Sequence, residues 1–241
     1  MKAIALFSAK GGVGKSSAAV NLAHVAATQG GRRTLLWDLD AQGAASFTLR
    51  LHARPKARAR AAIAGEASLS ELIQASDYAN LDVLPADDSL RRLEGDLAAA
   101  DKLKQLKKLL KTLSAGYDRV IIDAPPGLSE LAERLFRAVD LIVSPLLPSP
   151  LSQRALEQLR ARLGKLEDAP GLLPVWSMVD RRKALHRLTV AASPEVPVLP
   201  YAAAIEGMAV KQAPITASAP GSAGSLAFVG LWRAIEARLA A

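Results

Sequence analysis

A short apolar run, Ala3 to Phe7, leads into Ser8-Ala9-Lys10-Gly11-Gly12-Val13-Gly14-Lys15-Ser16-Ser17, and a helical pattern follows from Ser16 to Thr28. No other stretch of the 241 residues constrains the fold as strongly. A buried strand, a glycine-rich turn and a helix opening on Lys15-Ser16 make a phosphate cradle. Glycines let backbone N–H groups approach phosphate oxygens, and the helix N-terminus adds its positive end. In this arrangement the lysine ammonium neutralises the terminal phosphates and the serine hydroxyl ligates Mg2+. The commoner pattern has glycine at position 9, whereas here Ala9 is followed by a second lysine, Lys10.

The rest of the chain alternates short apolar runs with helical patterns. Strands are expected at Thr34–Trp37, Leu81–Leu84, Arg119–Ile122, Leu141–Pro145, Leu172–Trp176 and Val196–Leu199. Helices are expected near Leu69–Ala75, Ser89–Leu113, Ser129–Ala138, Ser152–Leu166, Arg182–Val190 and Ala223–Leu239. Continuous apolar strands separated by helices imply an α/β fold, a mostly parallel twisted sheet with helices on both faces. We read residues 1–241 as a single domain of this kind, without internal repeats. Two stretches fall outside the alternation. Arg50 to Gly65, basic and alanine-rich, reads as an excursion from the sheet, and Pro214 to Gly224 as a surface loop. Ligands of such sheets sit beyond the carboxyl ends of the strands, so the loops after Phe7, Trp37 and Ile122 should carry the chemistry.

Acidic residues occupy the other two of those loops. Trp37-Asp38-Leu39-Asp40-Ala41-Gln42-Gly43 places carboxylates at i and i+2 as the chain leaves a strand. Val120-Ile121-Ile122-Asp123-Ala124-Pro125-Pro126-Gly127 delivers one carboxylate ahead of a rigid turn. A single Asp after a strand is more often a helix cap or turn residue. Three such loops in the right order favour a metal–nucleotide site.

On these motifs the sequence resembles the ParA/MinD family of deviant Walker A P-loop ATPases, whose signature is Lys-Gly-Gly-x-Gly-Lys-Ser/Thr. The likeness covers most of the chain. It implies a P-loop NTPase fold that binds ATP and Mg2+ through Gly11, Gly12, Val13, Gly14, Lys15, Ser16 and Ser17. It makes Lys10, Lys15 and Asp40 the catalytic residues. Lys10 reaches the γ-phosphate of a second subunit, so the ATP state is a homodimer, and Asp40 orients the attacking water. The metal residues it implies are Ser16, Asp38 and Asp123, the last acting through a water. The family's Asp-x-Asp-Pro-Gln-Gly has Ala41 in place of proline here. Trp176-Ser177-Met178-Val179-Asp180 and Val198-Leu199-Pro200 resemble segments near the base, giving Met178, Asp180 and Pro200 as adenine contacts. Many ParA proteins continue with arginine after that proline, and Tyr201 stands there instead.

Composition narrows the branch. The chain has no cysteine, which removes disulfides, thiolate zinc sites and the branches of the family that depend on cysteine. A net charge of +8 and a pI near 9.9 favour polyanionic partners, with a solubilising surface as the plainer alternative. No apolar run approaches the ~20 residues of a membrane span, and the N-terminus does not read as a signal peptide. The apolar stripe from Leu226 to Leu239 carries few cations and is expected to pack on the sheet rather than enter lipid. The expectation is thus a ParA-like ATPase, cytoplasmic and nucleoid-associated, without a separate operator-binding domain. It should bind DNA non-specifically through clustered cations and respond to a ParB-like or other activating partner, hydrolysing ATP slowly alone. Arg181, Arg182, Lys183 and Arg187 match the region where the family places DNA contacts. Further clusters are Arg50, Arg54, Lys56, Arg58 and Arg60, and Lys102, Lys104, Lys107, Lys108 and Lys111. The rivals are a MinD-like membrane-associated positioning ATPase and an ATP-dependent amidoligase using ammonia.

Overall fold

The computed structural model describes residues 1–54, 61, 68–92 and 102–240. Its first half runs β1 (Lys2–Leu6), α1 (Lys15–Thr28), β2 (Thr34–Asp38), α2 (Ala44–Thr48), β3 (Gln74–Ala75), β4 (Leu81–Leu84), α3 (Lys102–Leu113) and β5 (Arg119–Asp123). It continues with α4 (Glu130–Phe136), β6 (Leu141–Leu146), α5 (Pro150–Leu163), β7 (Gly171–Val179), α6 (Ala184–Ala191) and β8 (Val198–Pro200). Three short helices follow, α7 (Ala203–Glu206), α8 (Met208–Lys211) and α9 (Ile215–Ser218), before α10 (Ala223–Ala240). The eight strands form one sheet in the order β3-β4-β2-β5-β1-β6-β7-β8, parallel except for β3.

Side chains alternate across each strand, so a fully apolar strand must be covered twice. Ala3, Ala5 and Phe7 point to one face with Trp37 and Ile122, beneath Leu106, Leu110, Leu131, Leu135 and Leu159 of α3, α4 and α5. Phe7 meets Phe136 edge-on at 4.8 Å. Ile4, Leu6, Leu36 and Ile121 point to the other face, against α1 and α10. The stripe of α10 is buried there through Phe228, Leu231, Trp232 and Ile235, each side chain contributing about 1.5–3 kcal/mol. Glu236, on the same helix, receives a bidentate pair from Arg119 at 2.7 and 2.8 Å, which ties α10 to the start of β5.

The structure corrects two expectations. Leu69–Ala75 is not a helix: a single 3-10 turn, Leu69–Glu71, precedes the two-residue edge strand β3, which pairs antiparallel with β4. Its two residues are too few to show a period. Pro214–Gly224 is not simply a surface loop, because α9 lies within it and buries Ile215 and Thr216. Of the helix expected over Ser89–Leu113, Asp88–Arg92 is a 3-10 turn and the end is α3; residues 93–101 lie outside the described residues. Lys56, Arg58 and Arg60 also lie outside them.

Candidate active site

Parallel register brings the three loops together. Leu6 pairs with Asp123, and Asp38 pairs with Asp123, so β1, β5 and β2 end side by side at their carboxyl edge. The Phe7 amide donates to Val143 at 3.0 Å, and the Gly127 amide to the Ser8 carbonyl at 3.5 Å, which holds the Pro-Pro-Gly turn against the glycine loop. Gly12 and Gly14 have φ of +71° and +86°, a region that a Cβ disfavours. Gly14 also precedes α1 without any side-chain cap, and the first turn holds no acidic residue. Its amides are left for an anion.

Lys15 is buried to 6 % exposure at the head of this helix, while Lys10 is exposed. The Lys10 ammonium has no hydrogen bond or ion pair among the described residues; its backbone amide donates to Ser8 Oγ at 3.4 Å.

Asp38 and Asp123 are both completely buried. Asp38 Oδ2 accepts from the Ser46 amide at 2.8 Å and the Ser46 hydroxyl at 2.7 Å, and Ser46 Oγ in turn accepts from the Ala86 amide at 3.1 Å. Among the described residues, Asp38 Oδ1 and both oxygens of Asp123 have no partner within hydrogen-bonding geometry. Burial is the main force on both carboxyls. It pushes Asp38 up to about 6, with the Ser46 hydrogen bonds pulling back. It pushes Asp123 up to about 8, aided by the neighbouring Asp38 charge and opposed by Ser16 and Lys15. Two buried carboxyls with free oxygens beside a hydroxyl and an ammonium fit a hard divalent cation. Among the described residues no three Asp, Glu or His side chains converge. A cation here would complete its shell from Ser16, water and phosphate oxygens, which is the habit of Mg2+. Asp40 is half-buried at the rim, its Oδ1 accepting from the Gln42 amide at 3.0 Å, and its charge raises both buried carboxyls.

On the other side of the glycine loop lies an apolar cavity lined by Ser17, Met178, Pro200, Tyr201, Ile205 and Glu206, among others. A Cβ on Gly14 would stand 3.2 Å from Ser177 Oγ and 3.6 Å from Met178 Cε, so the loop and β7 pack closely. Met178 itself has φ of +54°, where the β7–β8 pairing shifts register between Trp176 and Val179. Met178 and Pro200, which the resemblance assigns to the base, both line this cavity. Asp180 does not line the cavity: its carboxylate holds Arg182 through two 2.9 Å hydrogen bonds, which draw its pKa down to about 2. Tyr201 enters the wall as the residue after Pro200, while Ile205, Glu206 and Phe228 join it without a sequence signal, because α7 and α10 are brought to the loop only by tertiary packing.

Arg181, Arg182, Lys183 and Arg187 are all exposed at the β7–α6 connection. They are not equivalent. Arg182 is engaged by Asp180, and Arg187 donates to the Arg181 and Arg182 carbonyls at 3.0 and 3.2 Å, whereas the Arg181 and Lys183 side chains have no partner among the described residues.

A glycine loop on a parallel sheet, with a buried lysine and two buried carboxylates at neighbouring strand ends, defines a P-loop nucleotide-binding protein. Residues 1–171 match the family model described as AAA domain. A ParA family protein of Chlamydia muridarum is 39 % identical over 165 residues, 66 % of this chain and 64 % of the relative. The chromosome partitioning protein ParA of Caulobacter vibrioides (strain NA1000 / CB15N) is 32 % identical over 196 residues, 77 % of this chain and 72 % of the relative. The structure of a Cyanothece McdA–ATP complex superposes with a TM-score of 0.84 at 21 % identity, covering 98 % of this chain and 96 % of that one. The chain belongs to the ParA/MinD family of P-loop ATPases. It spans about 64 % of the length of the first curated relatives it matches. Among the described residues no helix is long and apolar enough to cross a membrane.

Proposed function

We propose that this protein is a ParA-type partition or positioning ATPase that binds Mg-ATP, pairs with a second copy across the nucleotide, and holds DNA non-specifically in that state. The observation that carries the reading is the contrast between the two lysines. Lys15 is buried inside the cradle, while Lys10 stands exposed on the same loop with no partner for its ammonium among the described residues. A cation so placed has work to do only on something that arrives from outside.

Gly11 to Gly14 and the first amides of α1 bind the phosphates, and Lys15 neutralises the β- and γ-oxygens. Ser16, Asp38 and Asp123 would hold Mg2+, which when bound would supply positive charge against the phosphates. Asp40, at the rim, orients the attacking water. Lys10 of each copy reaches the γ-phosphate held by the other and stabilises charge there, as an arginine finger does. Without a partner protein the turnover is slow, on the order of intrinsic P-loop rates far below 1 s−1. A ParB-like or other activator raises it, and hydrolysis releases the DNA. Arg181 and Lys183, with Arg182 and Arg187 behind them, form the DNA face. The protein then works in the cytoplasm on the nucleoid. Lys15→Ala tests the base of this reading: Mg-ATP binding measured by calorimetry should be lost, and unchanged binding or turnover would refute it.

A further inference from the structure

Asn21 lies in the middle of α1, completely buried, and every polar group of its side chain is used. Nδ2 donates to the Ser17 carbonyl at 2.8 Å and lies 3.1 Å from Met208 Sδ. Oδ1 accepts from the Thr216 amide and the Thr216 hydroxyl, both at 3.2 Å. The amide orientation is unambiguous, because a backbone N–H only donates and a carbonyl only accepts. Thr216 Oγ1 is also within hydrogen-bond distance, 2.9 Å, of His24 Nδ1, and burial lowers the pKa of this histidine. His24 stacks edge-on against Tyr78 at 4.7 Å.

These bonds tie the phosphate helix to the far part of the segment after β8, whose start is already held to β7 by the Tyr201 amide donating to the Val179 carbonyl at 3.0 Å. Ser17 is in the first turn of the phosphate helix and lines the apolar cavity. Met208 follows the wall residues Tyr201, Ile205 and Glu206 by only a few positions, and Thr216 lies in α9 at the far end of the same segment. Among the described residues, the hydrogen bonds between α1 and this segment come from Asn21 and His24 alone. An unpaired buried amide or hydroxyl is costly, so the segment settles where Asn21 satisfies it.

We propose that Asn21 is a positioning residue for nucleoside recognition: it fixes the wall formed by residues 201–206 at a set distance from the phosphate loop. The inference rests on the reading of the loop as a nucleotide site. It gives Asn21 a role in base selection beside the phosphate site, since Met208 and Thr216 lie on the wall side and Ser17, its partner in the first turn of α1, itself lines the cavity.

The test compares ligands that share phosphates and differ in the base. Asn21→Leu conserves approximate volume and removes every hydrogen bond of the side chain; Thr216→Val removes the hydroxyl and keeps the amide bond. Calorimetric affinities for ATP, GTP and inorganic tripolyphosphate, each with Mg2+, are measured on the full chain, with melting curves alongside. We expect Asn21→Leu to weaken ATP about tenfold and to compress the ATP/GTP ratio, as loss of roughly one net hydrogen bond implies. Tripolyphosphate should change less than about twofold, and Thr216→Val should shift ATP in the same direction by about threefold. Parallel losses for ATP and tripolyphosphate, or an unchanged ATP/GTP ratio, would overturn the proposal. If Asn21→Leu does not fold, Thr216→Val decides alone by the same ratios. A wild-type chain that binds tripolyphosphate but shows no preference among bases overturns this inference while leaving the phosphate site standing; binding neither removes both.

Discussion

Replacing Asp123 by Asn should make the unliganded protein more stable and the liganded one less so, with the gain growing as pH rises. Asp123 is fully buried beside Asp38, and its carboxyl is pushed from the ordinary 3.8 to about 8. A folded-state pKa above the unfolded one means the stabilising contribution is complete below about 4. It is lost progressively as pH climbs through 8, because the unfolded chain gains ionisation that the folded chain resists. Between pH 5 and 8 the ceiling on this loss is about 4 kcal/mol. Local relaxation and water entry reduce it, so we expect Asp123→Asn to gain about 2 kcal/mol on the parent over that interval. For a chain of this length the gain corresponds to roughly 6 °C in Tm. Calorimetric melting at pH 5, 6.5 and 8 without nucleotide measures it directly. Saturating Mg-ADP should reverse the order if Asp123 helps to hold Mg2+ as proposed, since ligand binding would then stabilise the parent more than the variant. Equal Tm differences at pH 5 and pH 8 would refute the claim that Asp123 is held neutral by burial. Equal ligand-induced shifts would refute its place at the metal.

Two other perturbations bear on the loop and the basic face. Gly14→Ala puts a Cβ at φ +86° and 3.2 Å from Ser177 Oγ, and should cost about 1–2 kcal/mol from the backbone conformation alone; an undiminished Tm would mean that the loop relaxes freely. Arg181→Glu with Lys183→Glu should weaken duplex binding and lower its salt slope by about 0.9 for each phosphate no longer neutralised. Arg182→Glu should do less, because that side chain is already held by Asp180; an unaltered slope in the double variant would move the DNA face elsewhere.

Most of the sheet could be read from the chain because parallel strands are apolar on both faces and therefore appear as uninterrupted runs: Leu81–Leu84 is found where its sequence places it, and β1, β2 and β5 differ only by a residue at either end. β3 escaped because a two-residue edge strand has no period. Of the short helices after β8, α9 escaped because the proline, glycine and small residues of Pro214–Gly224 read as loop, while what holds Ile215 and Thr216 inside is contact with α1. The phosphate loop and the acidic strand ends are contiguous in sequence and were legible. The apolar cavity beside the loop was half legible. Met178 and Pro200 lie at the ends of β7 and β8, with Tyr201 next in the chain, but Glu206 and Phe228 reach the cavity through the packing of α7 and α10, and Asn21 reads in sequence only as a polar interruption of an apolar helix. Likewise, nothing in the run Asp180-Arg181-Arg182-Lys183 distinguishes the arginine that Asp180 captures from the two cations left open.

If Lys10 of a second copy completes the proposed site, the ATP-bound protein must be a dimer. Light scattering of Asp40→Ala with Mg-ATP measures this, because that variant should bind nucleotide without turning it over. The mass should double from 25.4 kDa on adding ATP, and stay at 25.4 kDa when Lys10→Ala is added to the same chain. A mass of one chain in both, with ATP demonstrably bound, would contradict it.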